Sequence, residues 1–422
     1  MHGPGSYLIG QEEIAEVLDV LKSGQLSRYR SGEPGKAGAP KVYQFEREFE
    51  AFTGARHCLA VNSGTSALMT SLASLGIGPG DEVIVPGYTF VATMSAVAYS
   101  GAVPVLAEID ESLTLDPKDV ARKVTPRTKA IIAVHMLGAP CDMDEIIGIA
   151  KEHNLRVIED ACQACGGSYK GARLGTIGDV GVFSLNVYKT ITAGDGGMLI
   201  TNDTARYERA FAFHDQGAKP LRLGLVDEES LLGINLRMNE LTGAVALAQL
   251  RKLDTILSTL RSKKRLFKEP LAKMPNIRFR TLHDQAGECA TTLALVLETH
   301  EIARAVAEAV GSKTLAHSGK HYYRNMLNLL NKNMPTTKGC PFACEAHPTD
   351  VTYSADMLPQ TDDILDRTVC LSVGVTDPGL GTDFGINILT EEREIIGKAD
   401  EFVRLTAHIL SNCDLPPLTI PV

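Results

Sequence analysis

The sequence predicts an α/β protein with a mostly parallel central sheet flanked by helices, followed by a smaller α+β C-terminal domain. Three observations predict it. Between residues 58 and 201, short runs that are apolar on successive residues recur, as expected of strands covered on both faces. Helical patterns separate these runs, and strand, helix, strand at this rhythm belongs to a parallel sheet. After about Leu260 the rhythm changes, which divides the chain into a large domain at 1–260 and a small one at 261–422.

The first helix is expected at 11–23, because Ile14, Val17, Leu18 and Leu21 fall at i, i+3, i+4, i+7 and Gly24 stands where a C-terminal cap belongs. The Gly/Pro/Lys-rich stretch 31–41 reads as a mobile loop. Strands are expected at 58–61, 82–85, 103–109, 130–134, 156–159, 180–184 and 197–201. A helix lies between the fourth and fifth, capped by Asp142 with Glu145 three residues on, and with Ile146, Ile149 and Ala150 as its apolar face. Beyond the change of rhythm come a basic helix at 261–268, strands near 277–282 and 291–297, and helices at 301–310 and 391–410. There is no internal repeat.

The 422 residues are 44% hydrophobic and 22% charged, a mixture able to bury a core. A net charge of -9 argues against nucleic acid or an anionic membrane as the main partner. No stretch is long and apolar enough to span a bilayer, and the N-terminus lacks a signal pattern, so a cytoplasmic protein is expected. The nine cysteines are odd in number and scattered, which suggests reduced, buried thiols and no disulfide framework. Cys162 and Cys165 form a C-x-x-C, and Cys340, Cys344 and His347 could be part of a metal site. Neither group has a matching second pair, so structural cysteines are the preferred reading and no metal is expected.

Ligands of open α/β sheets sit at the C-terminal ends of strands and over helix N-termini. Three clusters fall in such places. Asn62-Ser63-Gly64-Thr65-Ser66 follows the first strand and opens a helix, where free N–H groups and hydroxyls can hold a phosphate. A simple helix cap reads as well. Glu159 and Asp160 close an apolar strand, and a carboxylate buried there needs a cation. A protonated pyridine nitrogen would be one; a helix-capping aspartate is the alternative. Lys189 stands between two apolar strands, ahead of the turn Gly194-Asp195-Gly196-Gly197. Partial desolvation would lower its pKa and suit it to Schiff-base chemistry, against the alternative of a solvated loop lysine.

Taken together, Glu159-Asp160-x-x-Gln163 and Ser184-x(4)-Lys189-x(4)-Gly194-Asp195-Gly196-Gly197 resemble the fold-type I pyridoxal phosphate (PLP) enzymes, and among them the DegT/DnrJ/StrS family of sugar aminotransferases. The resemblance runs from about residue 9 to 250 and more loosely to the end. It implies that Lys189 binds the cofactor covalently and shuttles a proton, that Asp160 pairs with the pyridine nitrogen, and that Gln163 meets the phenolic oxygen. It further implies that Phe90 stacks on the ring and that Gly64, Thr65 and Ser184 hold the phosphate. Asn235 matches an asparagine that reaches the phosphate of a neighbouring subunit, which implies a homodimer with shared sites. Leu185-Asn186-Val187-Tyr188 lacks the common Phe-His start, and 320–325 and 339–345 depart from nucleotide-sugar members. Cys141-Asp142-Met143 and Ala164-Cys165-Gly166-Gly167 look closer to the branch of the 8-amino-octulosonate transaminases.

The implied activity is transfer of an amino group from L-glutamate or L-glutamine to a keto sugar or related carbonyl compound. A dehydratase of the same fold would replace the lysine, resembling a histidine there; eliminases and decarboxylases that keep the lysine remain as alternatives.

Overall fold

The computed structural model describes residues 2–29, 40–220, 231–335, 339–343, 345–346 and 351–411. In chain order the strands are β1 (His57–Val61), β2 (Glu82–Pro86), β3 (Val103–Ala107), β4 (Thr128–Val134), β5 (Arg156–Asp160), β6 (Ser168–Tyr169), β7 (Ala172–Arg173), β8 (Val180–Ser184), β9 (Gly197–Thr201), β10 (Arg278–Phe279), β11 (Thr292–Val296) and β12 (Thr368–Ser372). The helices are α1 (Pro4–Tyr7), α2 (Gln11–Ser23), α3 (Lys41–Thr53), α4 (Gly64–Ser74), α5 (Ala92–Tyr99), α6 (Pro117–Lys123), α7 (Met143–Glu152), α8 (Thr204–His214), α9 (Glu240–Leu250), α10 (Leu253–Leu271), α11 (His300–Ala309), α12 (Leu327–Leu330), α13 (Pro359–Asp366) and α14 (Glu392–Ser411).

Seven strands form the central sheet in the order β1-β9-β8-β5-β4-β2-β3. β9 runs antiparallel to both its neighbours and the remaining pairs are parallel. β2, β8 and β9 are buried at every residue, as unbroken apolar runs require. Side-chain alternation sorts the sheet's residues onto two faces. Ile131 and Val157 join a core with α3, α7, α9 and α10. Ile132 and Ile158 join a second core with α4, α5 and α8. The next residues along β5 therefore face opposite ways: Glu159 to the first layer, Asp160 to the second.

Beyond α10 lies a second sheet, β10-β11-β12, all antiparallel. The expected break after residue 260 falls inside α10, which runs unbroken from Leu253 to Leu271. The basic segment 261–268 is its second half.

α2 has the expected bounds, and Gly24 caps it at φ 66°. Its stripe of Ile14, Leu18 and Leu21 is exposed, at 48%, 46% and 54%, while Glu13 and Val20 are buried. Glu13 turns inward because it accepts from Gly10 N, Gln249 Nε2 and Lys252 Nζ. The periodicity located an apolar face, but the described residues do not cover it. Asp142 caps α7, accepting from Glu145 N. Lys41 opens α3, and the rest of the expected loop, 31–39, lies outside the described residues.

Cys58, Cys141, Cys162, Cys165, Cys289 and Cys370 are free thiols. Cys340 is disulfide-bonded, which corrects the expectation of reduced thiols throughout. Cys344 and His347 lie outside the described residues. Among the described residues no three His, Cys, Asp or Glu side chains gather as metal ligands. No described helix is long and apolar enough to cross a membrane.

Candidate active site

A cavity of about 380 Å³ opens at the C-terminal ends of β1, β4, β5 and β8, and residues from beyond α10 close its other side. Gly64, Thr65, Phe90, Asp160, Gln163, Ser184 and Lys189 all line it. Of the expected site residues only Asn235 is elsewhere: it is exposed, and its Oδ1 accepts from Arg237 N.

Ser63 caps α4 by accepting from Ser66 N at 3.1 Å, and its own hydroxyl lies 2.8 Å from that of Ser66. The first helical N–H groups, of Gly64 and Thr65, have no helical acceptor and none among the described residues. The helix cap is therefore present, and it leaves these two N–H groups open to an anion. Gly64 is required by packing. A Cβ there would stand 2.8 Å from Ser184 Cβ and 3.1 Å from Cys162 Sγ, so a side chain would fill the cradle between α4 and β8. Ser184 Oγ accepts from Asn186 N at 3.3 Å, which leaves its proton for a ligand.

Asp160 is 4% exposed. It accepts from Thr93 Oγ1 and from Cys162 N, each at 3.1 Å, and among the described residues it has no cationic partner. Glu159, fully buried on the other face, accepts from Gly175, Ile177 and Gly178 N–H groups at 2.8, 2.6 and 2.6 Å. His135 Nε2 lies 3.1 Å from it, while His135 Nδ1 accepts from Cys141 N at 3.1 Å. A nitrogen that accepts an amide N–H carries no proton, so His135 is the neutral Nε2–H form and donates to Glu159. Adjacent carboxylates thus do different work: one binds the loop after β7, the other faces the cavity.

Gln163 Oε1 accepts from Leu137 N at 3.0 Å, which orients the amide so that its NH₂ is left for the cavity. Leu137 sits at φ 56°, a left-handed conformation costly for leucine. It is held there by that bond and by Arg280, whose Nη1 donates to Met136 O at 2.9 Å.

Lys189 stands in the loop after β8, half-buried, its amide bonded to Asn186 O. Among the described residues its Nζ has no hydrogen bond or ion pair. The loop is braced from below by the chain's first residues, for which the sequence carried no signal. Gly3 N donates to Val187 O at 2.8 Å, and Ser6 Oγ donates to the same oxygen at 2.8 Å. A Cβ on Gly3 would lie 2.3 Å from the carbonyl carbon of Tyr188 and 2.6 Å from Lys189 O.

Sequence reasoning also missed the opposite wall, formed by Thr291, Thr292, His321, Val375, Asp377 and Leu380. Thr190 and Thr292 have buried hydroxyls without partners among the described residues. Cys162 lines the cavity, but burial and the nearby Asp160 charge push its thiol well up, and burial does the same to Cys165. Neither forms a reactive thiolate.

This donor set fits the cofactor implied by the sequence. The cradle at Gly64 offers N–H and O–H donors to a phosphate, Asp160 offers a carboxylate to a cationic ring nitrogen, and the Gln163 amide offers N–H to an oxygen.

The family model for "DegT/DnrJ/EryC1/StrS aminotransferase family" matches residues 8–376. The chain is 42% identical over 255 residues to the spore coat polysaccharide biosynthesis protein SpsC of Bacillus subtilis, covering 58% of this chain and 63% of that protein. It is 36% identical over 310 residues to an L-glutamine:2-deoxy-scyllo-inosose aminotransferase of Streptoalloteichus tenebrarius, covering 69% and 72%. Against SpsC the aligned part thus spans less than two thirds of the relative's length. The crystal structure of 3-amino-5-hydroxybenzoic acid synthase superposes with a TM-score of 0.75 at 28% identity, over 96% of this chain and 99% of the other.

Proposed function

The chain belongs to the DegT/DnrJ/EryC1/StrS aminotransferase family, and on that premise we propose that it is a PLP-dependent aminotransferase. It would carry an amino group from L-glutamate or L-glutamine to a keto sugar or related carbonyl compound. The observation that carries the reading is Lys189, an amine without a protein partner among the described residues, lining one cavity with Asp160 and Gln163.

The Gly64 and Thr65 N–H groups and the hydroxyls of Thr65 and Ser184 would hold the phosphate at the positive end of α4. Asp160 would keep the ring nitrogen protonated, Gln163 would donate to the phenolic oxygen, and Phe90 would cover the ring. When bound, the cofactor supplies an electron sink for charge that develops on the substrate carbon. The protein supplies position and proton transfer: Lys189 Nζ takes the proton from the reacting carbon and returns it to its new site.

The working unit in this reading is a homodimer. Asn235 is exposed and clear of its own chain's cavity, and the uncovered stripe Ile14, Leu18 and Leu21 on α2 offers an apolar surface to a second copy.

The test is the absorption spectrum of the PLP-loaded protein before and after L-glutamate or L-glutamine, beside Lys189→Ala. A visible band that the donor converts to the shorter-wavelength amine form is expected. In Lys189→Ala the covalent band should be absent and turnover lower by about 10³-fold or more. A band that no amino donor bleaches would redirect the reading to elimination or decarboxylation. Absence of any band with added PLP would end it.

A further inference from the structure

On the wall opposite the sheet, His321 lines the cavity with its ring centroid 5.2 Å from that of Phe90, tilted by 51°. The two are held in register by backbone bonds: Thr89 N donates to His321 O at 2.9 Å and Val91 N donates to Lys320 O at 2.8 Å. The next two residues anchor the segment, since the hydroxyls of Tyr322 and Tyr323 both donate to the Asp362 carboxylate. His321 is 8% exposed and cannot swing away without breaking these contacts.

Its proton is placed by the same geometry. Nδ1 lies 3.2 Å from Ser318 O, and a carbonyl only accepts, so Nδ1 carries the hydrogen. Nε2 is left with a lone pair and no partner among the described residues. Burial, with the charge of Lys189, pushes the ring's pKa down to about 4, so it stays neutral under ordinary conditions. A neutral Nε2 of this kind accepts a hydrogen bond and cannot donate one. It greets a hydroxyl and offers nothing to a carboxylate or carbonyl oxygen. Asp377, on the same wall, is likewise an acceptor.

We propose that His321 is a specificity-determining residue for the acceptor half of the reaction: its Nε2 takes a hydrogen bond from a hydroxyl of the carbonyl substrate, and so selects a polyhydroxylated ketone over one without hydroxyls. The proposal rests on the aminotransferase reading, but the two fail differently. The donor half-reaction of the unaltered protein tests that reading alone.

The experiment uses PLP-loaded full-length protein, first converted to its amine form with L-glutamate or L-glutamine. Single-turnover rates are then followed with two probes, a keto-inositol and cyclohexanone, for the unaltered protein, His321→Phe and His321→Gln. The unaltered protein should favour the keto-inositol. His321→Phe should lower kcat/KM for it by roughly 10- to 100-fold, the effect of losing one hydrogen bond to a substrate hydroxyl in a desolvated site. Cyclohexanone turnover and the L-glutamate half-reaction should fall by clearly less than the keto-inositol reaction, since neither offers Nε2 a hydroxyl. His321→Gln, whose Oε1 can accept in place of Nε2, should recover part of the preference, and it keeps the test available if the phenylalanine variant folds poorly. Equal slowing of both half-reactions would overturn the proposal, because His321 would then act only by supporting Phe90. So would an unaltered protein without preference for the keto-inositol, or a preference that survives both substitutions.

Discussion

Asp160, Gln163 and Ser184, on the sheet side of the cavity, each hold a backbone N–H before any ligand arrives. Thr292 and His321, on the opposite side, each present an atom without a protein partner among the described residues. The sheet side is organised by the fold, as groups that meet a fixed cofactor must be. The opposite side leaves its bonding capacity to whatever enters. The largest effect that could break this contrast lies at the end of β5. Asp160→Asn keeps the bond from Cys162 N at Oδ1 and meets Thr93 with the direction reversed, Nδ2 donating to the hydroxyl, but removes the charge, so turnover should fall by about 10²- to 10³-fold with the urea midpoint nearly unchanged. Glu159→Gln should do the reverse. It turns an NH₂ toward two N–H donors, either Gly175 N with His135 Nε2 or Ile177 N with Gly178 N, and leaving them unpaired in the interior should cost about 2–4 kcal/mol, while activity per folded molecule stays close to normal. Urea unfolding and kcat on both variants decide it. If Glu159→Gln costs turnover and not stability, the division of labour between the two carboxylates is wrong.

The same contrast explains how far the sequence could be read. The sheet-side groups come in contiguous pieces, each placed just past an apolar run: 62–66 after β1, Asp160 and Gln163 at the end of β5, Ser184 and Lys189 at the end of β8. Strand periodicity and local chemistry coincide there, so position and role were legible together. Thr291 and Thr292 open a strand that the sequence did locate, but nothing in it marked them as facing a site, and no local period marks His321 or Asp377, which come from separate segments. β10 is two residues long and β12 carried no recognised signal, so the wall they build could not be anticipated. Gly3 was silent for the same reason, since its role lies in a contact with Tyr188, far away in sequence. The stripe on α2 shows the other limit: periodicity reports that a face exists, but not which surface covers it.

Acid should test two buried histidines whose pKa the fold lowers, one in the cavity wall and one outside the cavity at the end of α8. His321 is held down to about 4 by burial and the Lys189 charge; His214, the last residue of α8, is held down to about 3 by burial with Arg28 nearby. His214 donates from Nδ1 to Phe211 O and accepts at Nε2 from the Tyr29 hydroxyl, so a second proton has no good place. Both folded values lie below the unfolded value near 6.5. The unfolded chain therefore binds more protons below that pH, and stability falls as pH drops from about 6.5 toward 4. Each ring contributes a loss of about 2 kcal/mol between pH 6.5 and 5. Urea midpoints across that range should show the slope, and His321→Gln should remove about one proton's worth. An unchanged slope in that variant would mean the cavity ring is already accessible to protons in the folded state.

The smallest effect should come from Thr292→Val, and it is the most direct probe of the unpartnered wall. The substitution preserves shape and β-branching in β11 and deletes only the hydroxyl. If Oγ1 serves nothing but the fold, removing an unsatisfied polar atom leaves activity unchanged and stability equal or higher. If the hydroxyl waits for a ligand, stability is again equal or higher, but KM for the carbonyl substrate rises by about 2- to 10-fold at constant kcat, the size of one neutral hydrogen bond made equally in ground and transition states. The second outcome is expected. A drop in kcat with KM unchanged would instead place Thr292 among the groups that act on the transition state, and the wall could no longer be described as concerned with recognition alone.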